Sequence, residues 1–179
     1  MELKEALTGR RSCRAFQPGM TIEREALTEL IRAAQEAPTW KNSQTGRYYI
    51  VTDPAVLHEV RTKGLPARNA ANCANAPVLI VTAFVRGRSG FTKDGAAENE
   101  LGDEWGAYDL GLQNENLLLK AAELGLGTLV MGLRDGEALR RTLSIPDDQE
   151  VVSVIAVGYP AQDAKKPARK PPEDIAVWL

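Results

Sequence analysis

Histidine is nearly absent from this chain: His58 is the only one in 179 residues. A metal cage built on imidazoles is therefore excluded, and a serine–histidine–aspartate triad is not expected. Cysteine is scarce too. Cys13 and Cys73 stand far apart and form no CxxC pair, so no disulfide framework holds a chain of this length, and a reducing cytoplasm is the expected setting. No excess of one charge is present. Lys and Arg number 22 against 24 for Asp and Glu, a net charge of -2, whereas broad nucleic-acid binding needs a basic surplus. Long apolar runs are missing. The longest, residues 77–85, is interrupted by Thr82 and reads as a buried strand, not a bilayer span. Met1 is followed by Glu-Leu-Lys-Glu, so no signal peptide is expected.

What remains is ordinary globular material, 44% hydrophobic and 26% charged. The length favours one domain, residues 1–179, with 159–179 as a C-terminal arm. Residues 2–8 suit a short helix. Thr21 is a candidate cap for a second, in which Leu27, Leu30, Ile31 and Ala34 share a face until Pro38 ends it. Residues 47–53 (RYYIVTD) read as a strand, and Asp53-Pro54 opens a helix. Residues 64–75 read as irregular and 77–84 as a buried strand. The polar, glycine-rich stretch 86–100 reads as a mobile loop or lid. A long helix over 103–124 ends at Gly125. Strand 127–132, helix 136–143 and strand 151–158 complete the series. Helices and strands mix without strict alternation, which predicts an α+β fold. The tail carries four prolines, a basic group and the apolar end 175–179, and must dock on its own core or on a partner.

Three clusters carry polar chemistry. Arg10-Arg11-Ser12-Cys13-Arg14 suits a phosphate, since guanidinium groups offer fixed forks of donors and serine adds a neutral one; a solvated basic turn explains the same residues. Pro38-Thr39-Trp40-Lys41-Asn42-Ser43-Gln44 precedes a strand. An asparagine amide there matches the alternating donors and acceptors of a flavin pyrimidine edge, but Asn and Ser are also common turn formers. Residues 123–132 (ELGLGTLVMG) do not fit GxGxxG and run from helix to strand, the reverse of a Rossmann phosphate turn. Gly132 could bare a backbone N–H to a ligand, or simply end a strand.

Taken together, the clusters resemble the nitroreductase family of FMN-dependent oxidoreductases. RRSCRAF, EAPTWKNSQTGRYYIVTD, APVLIV, LLLKAAELGLGTLVMG, ALRRTLSIPDD and VSVIAVGYP follow in the family's order, before a basic, proline-rich tail. The resemblance implies an α+β homodimer with a central mixed or antiparallel sheet flanked by helices. Its C-terminal arms embrace the partner, and FMN sits at the interface. By position, Arg10, Arg11, Ser12 and Arg14 would hold the phosphate and ribityl end. Pro38, Thr39, Trp40 and Asn42 would line the ring from the other subunit. Asn69 would touch the flavin, Met131 and Gly132 would lie beside its reactive edge, and Arg169 and Lys170 would close on the phosphate. The chemistry implied is hydride transfer from NADPH or NADH through flavin N5 to an electron-poor acceptor of nitroaromatic or quinone type, with ping-pong kinetics. A flavin-modifying enzyme or a non-enzymatic flavin-binding protein is the alternative. Three departures from the family pattern stand out: Thr45-Gly46 for Pro-Trp, Asn72 where some members carry lysine, and Met131 where some carry glutamate. Lys41 is the candidate replacement for the missing cation. Cys13 and Cys73 read as small buried residues, and His58 as an exposed one.

Overall fold

Two central strands organise the chain. In a computed structural model covering residues 1–179, β2 (Val78–Val85) pairs antiparallel with β4 (Gln149–Gly158). Outside them lie β1 (Gly46–Val51) and β3 (Gly127–Met131), giving the order β1-β2-β4-β3 with every pair antiparallel. A register shift falls between Thr82 and Ala83. Beside it the Thr82 and Ser153 hydroxyls satisfy each other at 2.8 Å, which allows two buried polar groups in the middle of the sheet.

Both faces of the sheet are covered at its centre, so β2 and β4 read as nearly continuous apolar runs instead of alternating ones. Leu79, Val81, Val154 and Ala156 pack with Leu57, Val60 and Leu139 of α3 (Pro54–Gly64) and α6 (Gly136–Leu143). Val78, Ile80, Ile155 and Val157 face Leu27 and Leu30 of α2 (Arg24–Gln35), and Leu117 and Ala121 of α5 (Glu104–Glu123). α1 (Leu3–Gly9) leans on α5. The expected α+β architecture is present, as an antiparallel sheet flanked by helices. No helix is long and apolar enough to cross a membrane.

Local chemistry explains most boundaries. Asp53 caps α3 by accepting from the N–H groups of Ala55 and Val56, with Pro54 at the first helical position. Gly125, at φ +73°, ends α5. Two expectations need correction. Thr21 does not cap α2, which begins at Arg24 with Glu23 before it. The stretch expected to be irregular holds a further helix, α4 (Ala67–Asn72), because Pro66 starts it and Cys73 and Ala76 anchor its far side in the core.

The α5–sheet contact has no slack at Gly106. A methyl group there would collide with the Phe84 ring. Gly106→Ala is expected to lower unfolding free energy by about 1–3 kcal/mol despite its better helix propensity, read as a lower urea midpoint. An unchanged midpoint would show that the ring can move aside.

Candidate functional site

With both faces of the sheet covered, open backbone is left only at its edges. Residues 10–17 use one of them. After α1 the chain turns along the outside of β3, where Cys13 N–H donates to Thr128 O at 2.8 Å and Ser12 bridges Thr128 in parallel. The start of the tail locks the same segment, through Gln17 N–H to Tyr159 O and Ala161 N–H to Ala15 O, both at 2.9 Å. The approach is close. A Cβ on Gly127 would lie 2.9 Å from both Cys13 Cβ and Pro160 Cγ.

The basic residues here have different roles. Arg11 donates to the carbonyls of Arg10 and Thr8, each at 2.6 Å, and so serves the C-terminal end of α1. Arg14 is exposed, with only a 3.4 Å contact to Ser12 O. Arg10 is half-buried. Its Nε lies 3.5 Å from Glu115 Oε1, close enough for attraction, yet this buried atom has no hydrogen-bond partner. Arg10, Arg11, Gly127, Thr128 and Lys166 line a cavity of about 440 Å³. Arg169 and Lys170 are exposed further along the tail and do not line it. The tail cation brought to this cavity is Lys166, which sequence reasoning missed.

The far end of β3 carries the second group. Backbone alternation along a strand sends the amides of Thr128, Val130 and Gly132 to the same outer edge. Gly132 is exposed and faces open space. Asn69, on α4, donates from Nδ2 to Leu133 O at 2.9 Å, which fixes the amide and leaves its oxygen as an acceptor. Met131 differs from expectation. Its side chain is buried in the core and its backbone faces β4, opposite Val154. From Thr128 to Gly132 the edge runs about 13 Å at roughly 3.3 Å per residue. Anion-type donors therefore stand at one end and amide groups at the other.

The loop before β1 forms a separate body. Pro38 and Asn42 are exposed, and Thr39 Oγ1 accepts from Gln44 N–H at 3.1 Å. Lys41, Asn42 and Gln44 all have positive φ, 46°, 55° and 51°, which costs a non-glycine residue roughly 1–2 kcal/mol. Trp40 packs on Trp105 with ring centroids 4.6 Å apart, and Trp105 meets Tyr108 at 5.4 Å. Lys41, the candidate replacement cation, is neutralised by Glu98 at 2.6 Å. The space left by Gly46 is filled by the Gln113 amide, and the aromatic neighbour of Trp40 is Trp105. Nor is 86–100 a loose lid. A Phe91–Ala97 bridge, Glu98 N–H to Gly90 O and Trp105 Nε1 to Asn99 close it on itself and on α5. No hydrogen bond joins residues 38–44 to the β3 edge within one chain.

Helices on both faces of an antiparallel sheet, with a donor-lined outer strand, define an α+β fold with its candidate site at the sheet edge. A Staphylococcus epidermidis protein provisionally named an NAD(P)H:FMN oxidoreductase superimposes with a TM-score of 0.86, at 21% identity over 99% of this chain and 96% of that one. Residues 7–159 match the nitroreductase family model, and the chain belongs to that family. Among curated relatives, an NADH dehydrogenase of Thermus thermophilus is 27% identical over 99% of this chain and 96% of its own length. A Methanothermobacter thermautotrophicus protein provisionally named NADH dehydrogenase/NAD(P)H nitroreductase is 29% identical, over 91% and 80%.

Neither cysteine belongs to this chemistry. Both are free and buried, and desolvation pushes both thiols above their ordinary value. Each therefore adds stability below the ordinary thiol value that is lost as pH rises through the shifted one. At pH 8 a chromogenic disulfide reagent should leave the native protein unlabelled and label both thiols in denaturant. Rapid native labelling would mean that the Cys13 segment opens from β3.

Proposed function

We propose that this nitroreductase-family oxidoreductase binds FMN along the outer edge of β3 and passes reducing equivalents from NAD(P)H to a nitroaromatic or quinone-type acceptor. The observation that carries the reading is the donor set of that edge. A buried guanidinium nitrogen without a hydrogen-bond partner, on Arg10, supports the phosphate end. The Asn69 amide and the Gly132 backbone mark the ring end, about 13 Å away at roughly 3.3 Å per residue. That spacing and that chemistry fit a flavin mononucleotide. Bound there, FMN supplies an acceptor for hydride at N5 and a donor to the next substrate.

The chain's own work is positioning. Arg10, Ser12 and Arg14, with Lys166 of the tail, would hold the phosphate. Arg11 contributes by fixing the end of α1. Asn69 would orient the ring and Gly132 N–H would face N5, with the Met131 side chain holding the strand in place from below. Pro38, Thr39, Trp40 and Asn42 would cover the ring from a second copy. A homodimer is supported by two further observations. Trp178 and Leu179 are fully exposed at the apolar end of the tail. The outer edge of β1 is unpaired, and beside it Ile22, Leu27, Ile31 and Ile50 line a groove of about 640 Å³. Nicotinamide and acceptor would use one open ring face in turn, giving ping-pong kinetics, and a reducing cytoplasm is the setting proposed.

The test begins with colour. Protein incubated with FMN and desalted should keep a flavin absorbance band that bleaches on anaerobic addition of NADPH or NADH and returns with a quinone. Colourless protein overturns the reading. Arg10→Gln should weaken FMN binding about tenfold or more, the scale of one charge-assisted hydrogen bond, as measured by quenching of FMN fluorescence. Wild-type affinity in that variant would remove Arg10 from the phosphate site.

A further inference from the structure

One carboxylate is buried away from the β3 edge with no cation beside it. Asp109, on α5, is only 3% exposed and forms no ion pair. A single oxygen, Oδ2, takes two hydrogen bonds, from Trp40 N–H at 2.9 Å and Ser89 Oγ at 2.7 Å. Ser89 also contacts Ser43 Oγ at 2.7 Å and Thr45 Oγ1 at 3.2 Å. The proton count sets the direction. An ionised Asp109 can only accept, so Ser89 gives it its one proton, and Ser43 and Thr45 must both donate to Ser89. The result is a branched clasp from α5 through residue 89 to both sides of the loop that holds Trp40.

Three facts point beyond stability. An unpaired buried carboxylate is expensive, and an apolar side chain would fill this helix position at less cost. Every bond the clasp makes goes to residues 40–45 or to Ser89, not to the sheet core. The loop it holds has left-handed backbone at Lys41, Asn42 and Gln44, a conformation that persists only where surroundings over-determine it. On the exposed side, the Lys41–Glu98 pair closes the same two segments together.

We infer that Asp109 is a positioning residue: it holds residues 39–44 in their strained form, and through them sets how tightly and in what orientation the flavin ring is held. This rests on the reading that the loop covers the ring of the partner's flavin. Asp109 touches neither flavin nor substrate and acts only through Trp40 and Ser89.

Asp109→Ala and Asp109→Asn separate this role from a purely structural one. Asparagine can place its amide oxygen where Oδ2 lies and accept both bonds; alanine cannot. FMN affinity is read by fluorescence quenching and ring orientation by the visible circular dichroism of bound flavin, both well below the melting temperature. Asp109→Ala is expected to raise the FMN dissociation constant about tenfold and to change the visible spectrum. Asp109→Asn is expected to return affinity to within about threefold and restore the spectrum, even where its melting temperature stays lower. A folded Asp109→Ala protein with wild-type affinity and spectrum overturns the proposal. Should that variant fail to fold, Ser89→Ala decides. It keeps the Trp40 bond and frees Ser43 and Thr45, so an affinity loss of about threefold with the same spectral change is expected, and wild-type behaviour overturns the proposal. Wild-type protein that takes up no FMN sinks the functional reading itself and this inference with it, an outcome distinct from wild-type binding that the variants leave untouched.

Discussion

The pairing of β2 with β4, buried on both faces, is the constraint from which the rest follows. Val78, Ile80, Val81, Val154 and Ile155 are wholly or almost wholly inaccessible, so neither sheet face can receive a ligand. Helices occupy the space where a site would otherwise form. What is left is the perimeter: the outer backbone of β1 and β3, and the loops that enter and leave the sheet. Polar chemistry is accordingly found at edges, and within the sheet the Thr82 and Ser153 hydroxyls satisfy each other.

The two edges are treated differently. The start of β3 is closed by residues 10–17 and by the beginning of the tail, while its end at Gly132 stays open. The edge is thus half closed by basic chain and half open, with charge at one end and neutral amides at the other. The edge of β1 has no such cover. It lies beside an apolar groove in a chain whose own apolar terminus is fully exposed, the pairing on which the proposed homodimer rests. The loop over residues 38–44 belongs to neither edge. It is held by α5, and its strained backbone is the counterpart of the charge buried at Asp109.

Much of this was legible in the residues. Every strand was expected within a few positions: full burial writes the central pair as nearly unbroken apolar runs, VLIVTAFV and VVSVIAVG, and aromatic and β-branched residues mark the edge strand β1. Asp53-Pro54 and Gly125 gave their boundaries through cap chemistry that depends on neighbours only. Thr21 misled because a good capping residue does not determine which turn begins the helix; packing of Leu27 and Leu30 did. α4 was hidden because six residues are too few to show a period. Order in 86–100 was hidden too, since its polar composition does not reveal bonds to Asp103, Trp105 and Lys41 from elsewhere in the chain.

By itself, then, the sequence determined what depends on neighbours along the chain: the apolar strands, the caps, the order of the motifs, and through them the family. Tertiary structure decided what depends on who meets whom. It turned Met131 inward and Gly132 outward, assigned Arg11 to a helix end and left Arg10 Nε without a hydrogen-bond partner, neutralised Lys41 with Glu98, filled the space beside Gly46 with the Gln113 amide, and brought Asp109 under Trp40 from 69 residues away. Those outcomes rest on packing and hydrogen-bond direction between distant segments, and no local pattern of residues encodes either.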